Sequence, residues 1–125
     1  MNENEISYQI IGAALKVHRR IGPGLLESAY EAALAYELQK LNLLVEQQVT
    51  LPFVYEEVRL EAGYRIDLII NRLVIAEIKS VESLLPVHHA QVLTYLRLTD
   101  LKLGLLINFN ALFLKEGIHR IVNNL

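Results

Sequence analysis

Apolar residues recur every three or four positions along the first part of the chain, and this spacing predicts two amphipathic helices. The first helix covers residues 5–20, and its apolar stripe consists of Ile6, Ile10, Ala13, Val17 and Ile21. The second helix covers residues 25–42, and its stripe consists of Tyr30, Leu34, Leu38 and Leu41. The segment Ile-Gly-Pro-Gly at residues 21–24 separates them, because glycine and proline together stop a helix and turn the chain.

The pattern then changes to alternating positions and unbroken apolar runs, which are typical of β-strands. Residues 45–51 alternate, and Pro52 indicates that this strand lies at a sheet edge or a bend. Glu56 and Glu57 form the predicted tip of the hairpin that follows. The remaining predicted elements are a central hairpin over residues 65–80, a helix from Pro86 to residue 98, a buried strand over residues 103–109 and an edge strand over residues 118–122.

The predicted order is α-α-β-β-β-β-α-β-β, which defines an α/β fold with a mixed β-sheet flanked by helices. The short hairpins make most neighbouring strands antiparallel. The connection from strand 73–79 through helix 86–98 predicts one parallel pair, because parallel strands require a crossover. We expect a single domain over residues 1–125, since no linker, repeat or low-complexity tract interrupts the sequence.

Composition narrows the classes of protein that the sequence can encode. A hydrophobic fraction of 53% in 125 residues is enough for one packed core. The absence of cysteine excludes disulfides and thiolate zinc sites and suits a reducing cytoplasm. No apolar run approaches the roughly 20 residues of a membrane span, and the N-terminus carries acids where a secretory signal carries bases. The net charge of −2 excludes a general basic field, so a nucleic-acid role would depend on a local patch, metal ions or a partner subunit.

Three charged residues interrupt the apolar central hairpin, namely Asp67, Glu77 and Lys79. A buried charge is costly unless it is paired or bound to a metal ion. One interpretation is a buried salt bridge between Lys79 and a carboxylate. The other is a divalent metal site, because Mg²⁺ prefers carboxylate oxygens and a nearby lysine can stabilise an attacking water or a phosphate.

The turn of this hairpin decides whether the two carboxylates share a face. Glu77 and Lys79 are two residues apart, so they point to the same face of a strand. A strict two-residue turn at residues 71–72 would pair Asp67 with Ala76 and direct Asp67 away from Glu77. A metal site therefore requires a three-residue connection or a bulge, although the segment contains no glycine to favour either.

Two of the predicted helices carry polar side chains on faces that are otherwise apolar. Glu27 lies one turn before Tyr30, where an acid can be a ligand or can simply meet the positive end of the helix dipole. In the third helix, His88, Gln91 and Tyr95 share one side. These three residues form either a satisfied polar network or a set of contacts beside a metal site.

The segment GLLESAY at residues 24–30 matches the signature of the GxxExxY protein family, which the chain resembles along nearly its whole length. Further similar segments are residues 17–24, 47–49, 67–68, 77–79, 88–91 and 104–109. That family is placed in the PD-(D/E)xK superfamily, so the resemblance implies a restriction-endonuclease-like core and metal-dependent nuclease activity. The spacing of Gln91 and Tyr95 is also similar to the helix motif of RecB-like nucleases within that superfamily.

The resemblance implies a metal site built around the central hairpin. Asp67 and Glu77 would hold Mg²⁺ or Mn²⁺, with the backbone carbonyl of Ile78 as a further ligand. Glu27 would complete the site from the second helix.

The resemblance also implies roles for the neighbouring side chains. Lys79 would activate the water or stabilise the phosphate, and Gln91 would stand beside it in the catalytic site. Further contacts to the ligands or to the substrate would come from His18, Tyr30, His88 and Tyr95.

We therefore expect a divalent-metal-dependent nuclease that hydrolyses phosphodiester bonds, with DNA favoured over RNA as its substrate. The alternative is a binding or assembly module that keeps the nuclease fold without catalysis. Loss of an essential residue would mark such a module, and no such loss is present. An exposed edge strand at residues 118–122 would allow two copies to form a homodimer.

Overall fold

A mixed five-stranded β-sheet forms the centre of the molecule, with helices on both faces. The computed structural model describes the backbone of residues 1–125 and every side chain except those of residues 53 and 60–62. The helices are α1 (Glu3–Ile21), α2 (Glu27–Lys40) and α3 (Pro86–Thr99), and a 3₁₀ helix covers Leu114–Gly117. The strands, which lie side by side in chain order, are β1 (Val45–Tyr55), β2 (Val58–Ile70), β3 (Val74–Lys79), β4 (Leu103–Asn108) and β5 (Ile118–Val122). The expected α/β class is confirmed.

Local signals in the sequence set the ends of the helices. α1 begins with a capping box, in which the Asn2 side chain accepts a hydrogen bond from the Glu5 N–H and the Glu5 carboxylate accepts one from the Asn2 N–H. It ends at Gly22, whose φ of 75° is unstrained for glycine. α3 begins at Pro86, and proline costs no hydrogen bond at this position because the first N–H groups of a helix have no acceptor within the helix. Within the part of the chain that the structure describes, none of these helices is long and apolar enough to cross a membrane.

The sheet separates two hydrophobic layers. α1 and α2 pack on one face, over a layer that includes Leu68, Ala76 and Ile78. α3 packs on the opposite face, over Ile75 and Leu106. β3 and β4 are parallel and all other neighbouring strands are antiparallel, as the crossover through α3 predicted. Because β3 and β4 are buried on both faces, any charge on β3 must be compensated inside the protein.

The structure contains five strands, whereas the sequence predicted six. The first predicted strand ended before Pro52 and the central hairpin began only at residue 65, whereas β1 and β2 continue through Pro52 and Gly63 and form one long hairpin with its tip at residues 56–57. Opposite Pro52, β2 contains residues 61–63, so the register shifts at a bulge and the pairing continues. A Cβ atom on Gly63 would lie 1.9 Å from the carbonyl oxygen of Leu51, so this close approach requires glycine. Proline and glycine therefore mark a bulge next to a sheet edge.

β1 and β2 change faces at the same level of this hairpin. Val45 packs against the layer under α1 and α2, whereas Val49 packs against the layer under α3. In β2, Leu68 belongs to the first layer and Ile66 to the second. Residues at even spacing on a regular strand share a face, so each strand contains an irregularity between these positions. In β1 the irregular residue is Gln48, whose φ is 51°.

The connection between β2 and β3 brings Asp67 opposite Glu77. Ile70 pairs with Val74, so three residues join the strands. This is the connection that a shared carboxylate site requires, and the strict two-residue turn considered from the sequence is absent at this position.

This turn is built without glycine. Asn71 and Arg72 have left-handed φ angles of 52° and 56°, and the N–H of Leu73 donates a 3.0 Å hydrogen bond to the carbonyl of Ile70. Asn71 is fixed by Leu44, because the Leu44 N–H donates to the Asn71 side chain and the Asn71 N–H donates to the Leu44 carbonyl, both at 2.8 Å. The chain entering β1 thus holds the turn that sets the register of β3.

Replacement of Arg72 by glycine should stabilise the protein by about 1 kcal/mol, because glycine adopts a left-handed φ without side-chain strain. The ion pair of Arg72 with Glu46, at 3.4 Å, is exposed and should contribute little against this gain. Urea unfolding of the two proteins measures the difference.

The matched control is Asn71→Gly, which removes the same kind of strain together with the acceptor for the Leu44 N–H. We expect no gain from this variant. An unfolding midpoint of Arg72→Gly at or below that of the wild type would show that the turn is not strained.

Candidate active site

Two carboxyl groups meet at the point where the hydrogen-bonded ladder between β2 and β3 ends. The Glu77 carboxylate accepts a hydrogen bond from the Asp67 N–H at 2.8 Å. The Asp67 carboxylate accepts one from the Ile78 N–H, also at 2.8 Å. Each carboxyl group is therefore positioned by the backbone of the opposite strand.

Glu77 is only 3% exposed, and burial is the main cause that raises the pKa of its carboxyl group to about 8. The negative charge of Asp67 contributes to this rise, and a side-chain hydrogen bond with Asp67 favours the protonated form. The hydrogen bond from the Asp67 N–H and the charge of Lys79 act in the opposite direction. Glu77 is therefore mostly protonated at pH 7 when no cation is bound.

Lys79 lies half-buried at the end of β3, on the same side of the strand as Glu77. Among the side chains that the structure describes, it forms no salt bridge with a carboxylate. The salt bridge between Lys79 and a carboxylate, which the sequence analysis considered, is therefore absent from the described part of this hairpin. Lys79 lines a cavity of about 430 Å³ beside α3, together with Tyr64, His88, Gln91 and Tyr95.

A second cavity, of about 750 Å³, lies on the α2 side of the same strands. Its polar lining includes Glu27, Glu31, Gln48 and Asp67. Glu27 is the first residue of α2, and its carboxylate accepts a 3.3 Å hydrogen bond from the N–H of Ser80, which directly follows β3. The charged end of β3 therefore lies between two cavities.

The structure of the loop before α2 gives a reason for the glycine, the glutamate and the tyrosine of the segment at residues 24–30. Gly24 has a φ of 103°, which residues with a side chain rarely adopt. Tyr30 is fully buried, and its hydroxyl donates to the Gly22 carbonyl at 2.5 Å and accepts from the Leu25 N–H at 3.1 Å. The tyrosine thus fixes the loop, and the loop presents Glu27 to the cavity.

Three of the predicted site residues form their hydrogen bonds with groups other than the carboxyl pair. Nε2 of His18 is 2.9 Å from the carbonyl oxygen of Ala111, so this histidine ties α1 to the chain after β4. Tyr30 lies in the core beneath its loop. His88 accepts a 3.0 Å hydrogen bond from the Leu85 N–H at the start of α3. Their contacts hold the helices and the loop that surround the carboxyl pair.

Gln91 and Tyr95 face the charged end of β3 from α3, because both line the cavity that contains Lys79. The pKa of the Tyr95 hydroxyl is raised to about 12, mainly by burial and also by the charges of Glu77 and Asp67, whereas a hydrogen bond with Gln91 acts in the opposite direction. Tyr95 is therefore protonated at neutral pH and can donate a hydrogen bond.

The sequence analysis did not identify Glu31 and Gln48 as site residues. Glu31 accepts hydrogen bonds from the side chains of Gln47 at 3.2 Å and Gln48 at 2.6 Å. Burial raises the pKa of Glu31 and the charge of Asp67 adds to the rise, whereas these two hydrogen bonds lower it. Helical spacing was a signal for Glu31, which follows Glu27 by four residues and shares its face. For Gln48 the signal was only its place in the segment 47–49, which resembles the GxxExxY family, because a left-handed φ within a strand does not change the pattern of apolar and polar residues.

No three histidine, aspartate or glutamate side chains form a complete metal-ligand set among the residues that the structure describes. The donors that converge are the carboxyl groups of Asp67 and Glu77, beside the backbone of Ile78. This donor set fits Mg²⁺ or Mn²⁺, because such ions bind through one or two carboxylates and keep several waters. A carboxyl group that holds its proton in the absence of a cation is also a group from which a metal ion releases a proton on binding.

A mixed sheet with helices on both faces, and with an Asp and a Glu-x-Lys set at one end of its central strands, defines an α/β domain of the restriction-endonuclease-like class. The family model of the PD-(D/E)XK nuclease superfamily matches residues 4–121, and the chain belongs to this superfamily. PD-(D/E)XK nucleases generally use divalent metal ions. No curated protein and no solved structure matches the chain significantly.

The free energy of unfolding should fall as the pH rises from about 5 to about 8 in the absence of divalent ions. The pKa of Glu77 is about 8 in the folded protein, against an ordinary value of 4.5. Within this window the folded protein holds a proton that the unfolded chain has lost, so this contribution to stability is complete below the unfolded pKa and declines up to the folded one. The slope should approach about 1.4 kcal/mol per pH unit.

Glu77→Gln is the matched variant for this measurement, because an amide has the shape of a protonated carboxyl group and does not titrate. Urea unfolding of both proteins at a series of pH values, with EDTA present, should show a smaller slope for the variant. Equal slopes would rule out an elevated pKa at Glu77.

Proposed function

We propose that the protein is a divalent-metal-dependent nuclease that hydrolyses phosphodiester bonds in nucleic acid, with DNA as the favoured substrate. The observation that supports this proposal is the contact between Asp67 and Glu77, with Lys79 two residues further along β3. Hydrolysis adds a water to phosphorus and breaks one P–O bond, which yields a phosphomonoester and a hydroxyl group. The site must therefore hold a phosphate and a water and offset negative charge.

Asp67 and Glu77 would hold Mg²⁺ or Mn²⁺, and the carbonyl of Ile78 would be a further ligand. The N–H of Ile78 points to Asp67, and the N–H and C=O groups of a strand residue lie on the same edge, so we expect this carbonyl on the side of Asp67. Glu27 would contribute from the α2 wall of the cavity. When bound, the ion would lower the pKa of a water and offset charge on the phosphate.

Lys79 would balance the charge that develops on the phosphate during hydrolysis. It lines the cavity beside α3 and forms no salt bridge within the described part of the chain, so its ammonium group is not neutralised by a carboxylate. Gln91 and Tyr95 line the same cavity and would donate hydrogen bonds to phosphate oxygens. His88 would support this wall from the first turn of α3.

The acidic character of the site supports a role for cations in nucleic-acid binding as well as in catalysis. The net charge is −2, and the cavity on the α2 side carries the carboxyl groups of Glu27, Glu31 and Asp67. These groups would repel a polyanion unless metal ions offset them. We therefore expect substrate affinity to depend on divalent ions.

We also propose that the chain belongs to the GxxExxY branch of the superfamily. The three residues of the signature, Gly24, Glu27 and Tyr30, support this assignment, because the structure gives a physical reason for each residue type at its position. The glycine adopts a left-handed φ, the glutamate faces the cavity and the tyrosine fixes the loop between them.

Asp67→Asn should abolish both Mn²⁺ binding and cleavage, because it removes a charged ligand. Lys79→Met should keep Mn²⁺ binding and lower the cleavage rate on the order of 100-fold or more, because it removes only the charge that stabilises the transition state. Calorimetry with Mn²⁺ and Mg²⁺ measures binding. A screen of single-stranded and double-stranded DNA and RNA measures cleavage.

The control is Lys102→Met, an exposed lysine directly before β4. Leu103 pairs with Val74 at the start of β3, so this lysine lies at the end of the sheet opposite Lys79 and its removal should leave both measurements unchanged. Cleavage by Lys79→Met at the wild-type rate would refute the proposed role of this lysine. A folded wild type that neither binds Mn²⁺ nor cleaves would instead favour a non-catalytic binding or assembly module.

A further inference from the structure

Gln47 and Gln48 are consecutive residues of β1, yet both side chains reach the carboxylate of Glu31 on α2. Nε2 of Gln47 lies 3.2 Å from Oε2 of Glu31, and Nε2 of Gln48 lies 2.6 Å from Oε1. Consecutive side chains on a regular strand point to opposite faces. The φ of 51° at Gln48 interrupts this alternation and allows both amides to face α2.

Gln48 is unusual among the residues with a positive φ. Among the residues whose side chains the structure describes, the others of this kind lie in turns or next to the C-terminus, namely Asn42, Glu56, Asn71, Arg72, Asp100 and Asn124. Gln48 lies inside a strand, between a residue paired with Leu68 and a residue paired with Ile66. Such strain persists only where the surrounding structure holds it, and it is frequent at functional sites.

The strained residue directs one amide group to two carboxylates. Nε2 of Gln48 donates to Glu31 at 2.6 Å and to Oδ1 of Asp67 at 3.3 Å. The other oxygen of Asp67 accepts the hydrogen bond from the Ile78 N–H. Both oxygens of Asp67 are therefore held, one by β3 and the other by β1 with α2 behind it.

We propose that Gln48 is a positioning residue for Asp67, and that Glu31 fixes the amide of Gln48 in the required orientation. This inference rests on the proposed function, in which Asp67 is a metal ligand. Partners that orient a ligand strengthen metal binding because they remove the alternative rotamers of that ligand before the ion arrives. The left-handed backbone at Gln48 is then retained because it aims the amide at Asp67.

Gln48→Ala should weaken Mn²⁺ binding roughly 10- to 100-fold, which is the usual effect of removing a partner of a metal ligand. The matched control is Gln47→Ala, which removes the neighbouring amide and its bond to Glu31 but no contact with Asp67. We expect this control to bind Mn²⁺ within about twofold of the wild type, since the carboxylate of Asp67 keeps both of its donors. Calorimetry on the full chain with Mn²⁺ alone measures all three affinities.

Gln48→Gly separates a positioning role from a purely structural one. Glycine relieves the left-handed strain and removes the amide, so we expect a urea midpoint at or above the wild-type value together with the same loss of Mn²⁺ affinity. A midpoint that falls with the affinity would show that Gln48 acts through stability, and would overturn the proposal.

The remaining outcomes distinguish this inference from the proposed function. Wild-type Mn²⁺ affinity in Gln48→Ala, with Asp67→Asn unable to bind, would overturn the role of Gln48 and leave the metal site intact. An equal loss in Gln47→Ala and Gln48→Ala would place the effect at Glu31 and would also overturn it. Absence of binding by the folded wild type would overturn the proposed metal site, and the positioning role with it.

Discussion

A carboxyl group buried against a second carboxyl group is the constraint on which this structure depends. Glu77 has lost almost all of its hydration, and its neighbour Asp67 opposes its ionisation. Such a pair would be costly inside an apolar sheet without backbone donors, a proton or a cation. The register of β2 and β3 supplies the backbone donors, and the open cavities on either side of β3 leave room for water and ions. The fold thus brings these two carboxyl groups together where the ladder between β2 and β3 ends, and it gives each of them a backbone donor.

The regular elements were predictable because they depend on periodicity and on strong local signals such as Pro86. The tip of the hairpin of β1 and β2 was predicted at residues 56–57, but the length of its strands was not, because Pro52 and Gly63 each resemble a strand boundary when considered alone. Only their position opposite each other shows that the strands continue through a bulge. The sequence likewise did not decide the length of the turn at Asn71. Glycine would be the local signal for its left-handed conformation, but the backbone of Leu44, which is distant in sequence, stabilises this conformation instead.

The candidate site shows the same division between local and distant causes. Asp67, Glu77 and Lys79 stood out because charge within apolar strands requires an explanation whatever the tertiary structure. Gln48 did not stand out, because an amide in an exposed strand is ordinary until its backbone angle is known. A residue whose role depends on an irregular backbone cannot be recognised from a sequence pattern that assumes regular strands. This part of the candidate site is evident only in the three-dimensional structure.

The irregular residues of β1 also affect the exposed side of the sheet. β1 is an edge strand of eleven residues, and a flat edge of this length offers free N–H and C=O groups to a strand of another molecule. Gln48 departs from extended geometry and Pro52 lacks an N–H, so an incoming strand would find the row of donors broken in two places. The opposite edge, β5, is only five residues long. The distortion that shapes the cavity therefore also protects the protein from edge-to-edge aggregation.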